Sequence, residues 1–273
     1  MDADSKKQKN IETIAVTVPY HAISVDGENI RDLEAEVCVE ESVNLLLNGI
    51  RVASLTITPA DLTAFAYGYL VCEGLIKSID EVKGLEIKWP NINVTVPRFD
   101  SDDVGLWMEI RSSGCVGVKS TWTDLDEPLK ADIAFDMETI FHCLGFINEL
   151  ARIWKKTGGT HCTIIFNRAG NIVSYAEDIG RHNSMDKAVG KALLDSRDLG
   201  TCLMVCTGRM AGGMVAKAYR AGVPVLVSNT APFTTGIDLA RKLNMTLICF
   251  ARAPRMLIYS NPGRIIGAVR KEP

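Results

Sequence analysis

Histidine is scarce in this chain of 273 residues, with four in all, which leaves little room for a histidine-based metal centre. His161 and Cys162 do not combine with Cys202 and Cys206 in a zinc spacing, and the paired HxE and PCxxC segments of zinc deaminases are missing. No metal is therefore expected. Glycine-rich phosphate loops of the GxGxxG or Walker A kind are absent, which argues against a dinucleotide oxidoreductase or an NTPase, and no GxSxG elbow marks a serine hydrolase. No run approaches the roughly 20 apolar residues that cross a bilayer. The polar start MDADSKKQKN also lacks the apolar core of a signal peptide. A cytoplasmic chain without a membrane segment is expected. Charge of one sign is lacking too: the net charge of -3 disfavours a nucleic-acid or membrane-surface binder, so any basic site must be local. The eight cysteines follow no disulfide framework and read as reduced thiols.

What is present is ample apolar content, 47% of the chain, in a length above the usual domain size of roughly 100 to 150 residues. Residues 1–11 read as a disordered lead, 12–136 as a smaller strand-rich α+β part, and 137–273 as an α/β domain. Thr58-Pro59-Ala60-Asp61 reads as a helix start with Thr58 as its N-cap, and Gly74 as its end. Ile140, Leu144, Ile147, Leu150 and Trp154 recur at helical spacing as one buried stripe, closed by Gly158. Residues 162–166 and 172–175 form a hairpin around 167–171, and Asn183 reads as the cap of the next helix. The last third alternates short apolar strands with helices, which predicts a mostly parallel sheet covered on both faces.

Cys115 stands between Gly114 and Gly117, after an apolar run and near Arg111 and Lys119. Nearby cations favour the thiolate, the nucleophilic form, over an ordinary pKa of ~8.5. The glycines give the backbone room to turn and let a large partner approach. Read locally, this is either a reactive thiol in a loop or a small buried hydrophobe in a turn. The densest polar cluster, Glu177-Asp178-Ile179-Gly180-Arg181-His182-Asn183, falls between a strand and a helix, where ligands of α/β sheets bind and free N–H groups attract anions. Lys187 adds charge there. Thr207-Gly208-Arg209 and Ala251-Arg252-Ala253-Pro254-Arg255 follow strands of the same sheet, with residues 157–161 as a neighbour. Arginine suits bidentate recognition of phosphate. Residues 228–232 read as a turn.

Together, Thr157-Gly158-Gly159-Thr160-His161, the 177–183 cluster, Asp186-Lys187, Gly208-Arg209, Lys217, Ala231-Pro232 and Phe250-Ala251-Arg252 resemble the formate dehydrogenase accessory sulfurtransferase family (FdhD). So do Asn48-Gly49, the 58–61 segment, Gly68-Tyr69-Leu70-Val71-Cys72-Glu73-Gly74, the 221–224 turn, Tyr259 and Arg264. The resemblance implies a three-layer sandwich with a mostly parallel central sheet, cytidine-deaminase-like without the zinc. It implies a carrier that takes persulfide sulfur from a cysteine desulfurase and passes it to a molybdenum or tungsten bis-pterin guanine dinucleotide cofactor, bound only transiently. The formate dehydrogenase catalytic subunit would be the client, with a homodimer left open. Cys115 falls in the family's Cys-Gly-x-Cys-like loop as the sulfur-bearing residue, and Val118 stands where the second cysteine is expected. Phe250, Ala251, Arg252, Ala253, Pro254 and Arg255 match the segment that holds the cofactor, with Arg181, His182, Gly208 and Arg209 beside it.

Two other readings compete with the carrier. One is a non-catalytic chaperone that binds the pterin cofactor or a guanine nucleotide. The other is a nucleotide hydrolase or deaminase that uses Glu177, Asp178 and His182.

Overall fold

Alternating apolar and polar residues build the first half of the chain from paired strands. The computed structural model describes residues 14–97 and 125–268 in full, and 108–111 and 115–118 as strand backbone. The lead at 1–11 lies outside the described residues. Strands β1 (Thr17–Asp26) and β2 (Asn29–Cys38) form an antiparallel hairpin that turns at Gly27, where φ is +59°. Strands β3 (Glu41–Leu47), β4 (Ile50–Ile57), β5 (Gly84–Lys88), β6 (Asn91–Thr95), β7 (Met108–Arg111) and β8 (Cys115–Val118) make a sheet in the order β5-β6-β3-β4-β8-β7. Val43, Leu45 and Leu47 are buried at alternate positions of β3, the period of two that turns one strand face to a core. That core also holds Phe65, Ala66, Tyr69 and Leu70 of helix α1 (Leu62–Cys72).

Helix α1 starts later than Thr58 and Pro59 predict. It begins after Asp61, at φ +56°. Thr58 is buried and tied elsewhere: its N–H donates to Asp178 at 3.1 Å, its hydroxyl accepts from the N–H of Ile179, and its carbonyl accepts from Lys187 Nζ. Three long-range bonds outweigh the single local bond a cap would make. Gly74, at φ +75°, ends the helix as expected.

The second half continues with β9 (Phe135–Asp136), α2 (Met137–Leu150), α3 (Arg152–Thr157), β10 (His161–Phe166), β11 (Ile172–Asp178) and α4 (Arg181–Leu194). After these come β12 (Leu203–Cys206), α5 (Gly212–Arg220), β13 (Val225–Ser228), α6 (Thr234–Lys242), β14 (Thr246–Arg252), β15 (Arg255–Ser260) and β16 (Ile265–Ile266). The six-stranded sheet runs β11-β10-β12-β13-β14-β15. It is mixed, which corrects the expectation of a mostly parallel sheet: of its neighbouring pairs only β12–β13 and β13–β14 are parallel. Helices α5 and α6 supply the crossovers that parallel neighbours need. The hairpins β10–β11 and β14–β15 close the two sides with antiparallel pairs. Leu203 and Val205 face a core shared with α2, while Met204 and Cys206 face the core of α4, α5 and α6. Helices therefore cover both faces.

The single helix expected over 140–154 is broken at Ala151, whose backbone lies at φ -74° and ψ 63°. The break shifts the phase, so Trp154 leaves the buried stripe and stands 49% exposed. Gly158 closes α3 in the left-handed conformation, as expected. Helix α4 starts earlier than Asn183 predicts, with Gly180 in the cap position. Asn183 is buried instead, its amide donating to Thr56 O and Asp178 Oδ1.

The two halves meet where α1 crosses α4 at backbone contact. A Cβ on Gly68 would lie 1.8 Å from the carbonyl oxygen of Asp186, and one on Gly190 would lie 1.8 Å from that of Ala64. Neither obstacle is a side chain that can swing away. Gly190→Ala is therefore expected to destabilise the fold by about 3 kcal/mol through overpacking, read as a lowered urea midpoint. Gly145→Ala, on α2 with open space around it, should cost nothing comparable. Among the described residues no helix is long and apolar enough to cross a membrane.

Candidate functional site

Because β12, β13 and β14 are parallel, the segments that follow them gather at one end of the sheet, the usual ligand end of α/β folds. A cavity of about 360 Å³ opens there, with Asn148, Trp154, Thr160, His161, Thr207 and Asn229 in its wall. A second of about 310 Å³ is lined by Phe141, Asn148, Asn229, Ala251, Arg252 and Ala253, among others. The two share Ile147, Asn148 and Asn229 as a common wall. Each volume suits a small organic ligand.

Positive charge collects beside the first cavity. Arg181 opens α4, and Gly208 lies against it so closely that a Cβ there would come within 2.7 Å of Arg181 Cβ. Burial, then the neighbouring Arg209, lowers the pKa of Arg181. Burial, then Arg181, lowers that of His161; Asp178 opposes the shift and Arg209 adds to it. Among the described residues neither Arg181 nor Arg209 has an acidic partner within ion-pair distance, and Arg181 Nε is buried without a hydrogen-bond partner. A buried unpaired donor costs about 1–3 kcal/mol, and a phosphate oxygen would supply what is missing.

The acids of the polar cluster serve other purposes. Glu177 accepts from the N–H groups of Ile153 and Trp154 at 2.8 and 2.9 Å and from the Thr160 hydroxyl at 2.9 Å. It thereby caps α3 and fixes the segment that carries Trp154. Asp178 pairs with Lys187 at 2.6 Å, both side chains fully buried, and also accepts from the N–H groups of Thr58 and Gly180. Lys187 is thus withdrawn from the anion site to which its sequence position assigns it. Glu177 and Asp178 are equally committed, which removes the acids a nucleotide hydrolase would use.

His182 is half-buried and lines neither cavity. Phe250 adopts φ +50°, a conformation that bulky residues rarely tolerate. The residue is 47% exposed. Of the 250–255 segment, Ala251, Arg252 and Ala253 line the second cavity, whereas Pro254 and Arg255 are exposed where β14 turns into β15. Sequence reasoning missed Asn148, Asn229 and Thr230 as cavity residues and read Trp154 as core. The available signal was the turn at 228–232, which follows a strand of the parallel set.

Cys115 opens strand β8, paired in register with Arg111 of β7, so it stands at a strand terminus where a loop was expected. Residues 112–114 and Lys119 lie outside the described residues. Six other cysteines are buried, and Cys38 is half-buried, its Sγ 2.9 Å from Thr157 Oγ1. Desolvation pushes the thiols of Cys143, Cys162, Cys206 and Cys249 up to about 12, raises that of Cys202, and holds that of Cys72 well above the usual range.

A family model described as the FdhD/NarQ family matches residues 38–266. The chain belongs to this family. Among its curated relatives, the sulfur carrier protein FdhD of Methanothermobacter thermautotrophicus is 32% identical over 246 residues, covering 90% of this chain and 97% of that protein. The sulfur carrier protein FdhD of Wolinella succinogenes is also 32% identical, covering 88% and 86%. A crystal structure from Desulfotalea psychrophila, described as a candidate formate dehydrogenase accessory protein, superposes with a TM-score of 0.76 at 24% identity. It covers 92% of this chain and all of its own, and at that identity it speaks for the fold alone.

Proposed function

We propose that this FdhD/NarQ-family chain is a sulfur carrier for formate dehydrogenase maturation, with Cys115 as the sulfur-bearing residue. The proposed donor is a cysteine desulfurase. The Cys115 thiolate attacks the outer sulfur of the donor's persulfide, a new S–S bond forms on Cys115, and the donor's own S–S bond breaks to release its thiolate. The proton stays with the transferred sulfur. One thiol suffices for this step, so Val118 in place of a second cysteine does not prevent it. Release of that sulfur as sulfide takes two electrons, which a thiol reductant supplies.

The proposed acceptor is a molybdenum or tungsten bis-pterin guanine dinucleotide, a substrate of the carrier. In this reading its phosphates lie at Arg181, Arg209 and His161, and its rings occupy the paired cavities along Asn148, Asn229 and the Phe250–Ala253 edge. The observation that carries the reading is the pair of arginines, Arg181 and Arg209, beside His161 at the strand ends, with Arg181 Nε buried and unpaired. Two neighbouring arginines that, among the described residues, form no ion pair with a carboxylate favour an anionic ligand over a neutral one. GDP, which presents the guanine and pyrophosphate of that substrate, tests it. Wild-type protein is expected to bind GDP more tightly than guanosine, and Arg181→Ala to weaken GDP by roughly tenfold or more, the worth of a charge-assisted hydrogen bond. Equal affinity for guanosine and GDP, or an unchanged Arg181→Ala variant, would contradict the site. The chaperone reading shares this binding behaviour and parts from the carrier only at Cys115.

A further inference from the structure

The Arg209 guanidinium lies over the ring of Phe233, with its central carbon 5.3 Å from the ring centroid. Phe233 is 40% exposed, so the guanidinium lies on a ring face at the protein surface. Its backbone is locked to the arginine's own segment. The N–H of Phe233 donates to Met210 O at 2.8 Å, and the N–H of Met210 donates to Ala231 O at 3.0 Å. Met210 and Pro232 form a parallel bridge. Phe233 also precedes the first turn of α6, where Gly236 fits so tightly that a Cβ would lie 2.4 Å from Met210 O. Ring and guanidinium are therefore held in fixed relation by main chain on both sides. Among the described residues no carboxylate competes for Arg209, and its charge is felt at Arg181 and His161.

An exposed arginine normally samples many rotamers, and binding an anion must first freeze them. A ring beneath the flat guanidinium favours one of those arrangements before the anion arrives. It also leaves the N–H edge free, because a cation–π contact uses the face. We propose that Phe233 is a positioning residue of the anion site, which sets the Arg209 guanidinium to meet a phosphate group shared with Arg181 and His161. This rests on the phosphate-binding reading above and adds to it a residue that itself touches no phosphate.

The test is titration calorimetry of the full chain with inorganic pyrophosphate at low ionic strength. Four variants are compared with wild type: Phe233→Leu, Phe233→Tyr, Arg209→Ala and the double variant Phe233→Leu/Arg209→Ala. Phe233→Leu is expected to weaken binding roughly two- to fivefold, the worth of an exposed cation–π contact. Phe233→Tyr should bind as wild type, and Arg209→Ala should lose roughly tenfold or more. On the Arg209→Ala background the leucine substitution should change nothing further, because the ring acts only through that arginine. The same factor in both backgrounds, or no effect of Phe233→Leu in either, would overturn the role of Phe233 while leaving the anion site standing. Wild-type protein that binds no pyrophosphate would remove the anion site and its positioning residue together.

Discussion

Cys115→Ala is expected to abolish sulfur loading and the activation of formate dehydrogenase while leaving folding and GDP binding unchanged. The effect is a complete loss, because the other thiols are poor substitutes. A thiol held at about 12, as for Cys143, Cys162, Cys206 and Cys249, is thiolate in about one molecule in 100,000 at neutral pH, and only the thiolate attacks a persulfide. Cys72 and Cys202 are shifted in the same direction. Cys38 is the strongest rival by exposure, yet its Sγ is engaged with Thr157 and packed where a Cβ on Gly159 would touch it at 2.8 Å. Cys38→Ala should therefore load and activate as wild type. The readout is formate dehydrogenase activity in cells that lack their own carrier and express each variant. Restored activity with Cys115→Ala would move the role to another residue.

Lys217→Met is expected to cost about 3–5 kcal/mol of stability. Lys217 Nζ lies 2.8 Å from Glu73 and 2.8 Å from both oxygens of Asp186, with all three side chains about 1% exposed or less. Two carboxylates from the end of α1 and from α4 thus share one ammonium from α5, and its removal strands both in the core. Desolvation already raises the Asp186 pKa from 3.8 to about 6, against the pull of Lys217. The sign of the pH effect follows. A carboxyl whose folded pKa is raised contributes stability that is fully present below its unfolded pKa and is lost as pH rises through the folded one. Wild-type stability should accordingly fall between about pH 4 and pH 6 by as much as about 3 kcal/mol from this group. Asp186→Asn should flatten the profile in that window. Acidification should also recover part of the stability lost in Lys217→Met, since neutral carboxyls need no counter-charge. Urea unfolding across the window measures both. A Lys217→Met variant as stable as wild type would show that the three helices do not depend on this cluster.

Periodic elements were legible in the sequence. The 203–250 alternation of strands and helices appears with only small shifts at the ends, because short apolar strands and amphipathic helices carry their signal locally. The sense of the sheet was not legible, since a hairpin and a crossover put the same apolar residues into a core. Helix starts failed where a polar side chain served a distant partner. Thr58 and Asn183 both look like caps, and both are consumed by Asp178 and its surroundings. Trp154 was misread because one non-helical residue, Ala151, rotates everything after it.

The basic half of the candidate site was legible through Arg181, Gly208, Arg209 and the 251–253 segment, which follow strands of one sheet. Its neutral half was not. Asn148 lies on a helix and Asn229 in a short turn, and only the tertiary fold brings them to one wall. The acids beside Arg181 look as available as the arginine does, and three-dimensional contacts alone separate Glu177, a cap for α3, from a residue free to react.

The most direct measurement is peptide-resolved mass spectrometry of the intact chain after incubation with a cysteine desulfurase and cysteine. The account predicts the added mass of a single sulfur on the peptide that contains Cys115, removed by a thiol reductant. No added sulfur, or sulfur on any other cysteine with the Cys115 peptide unmodified, would contradict it.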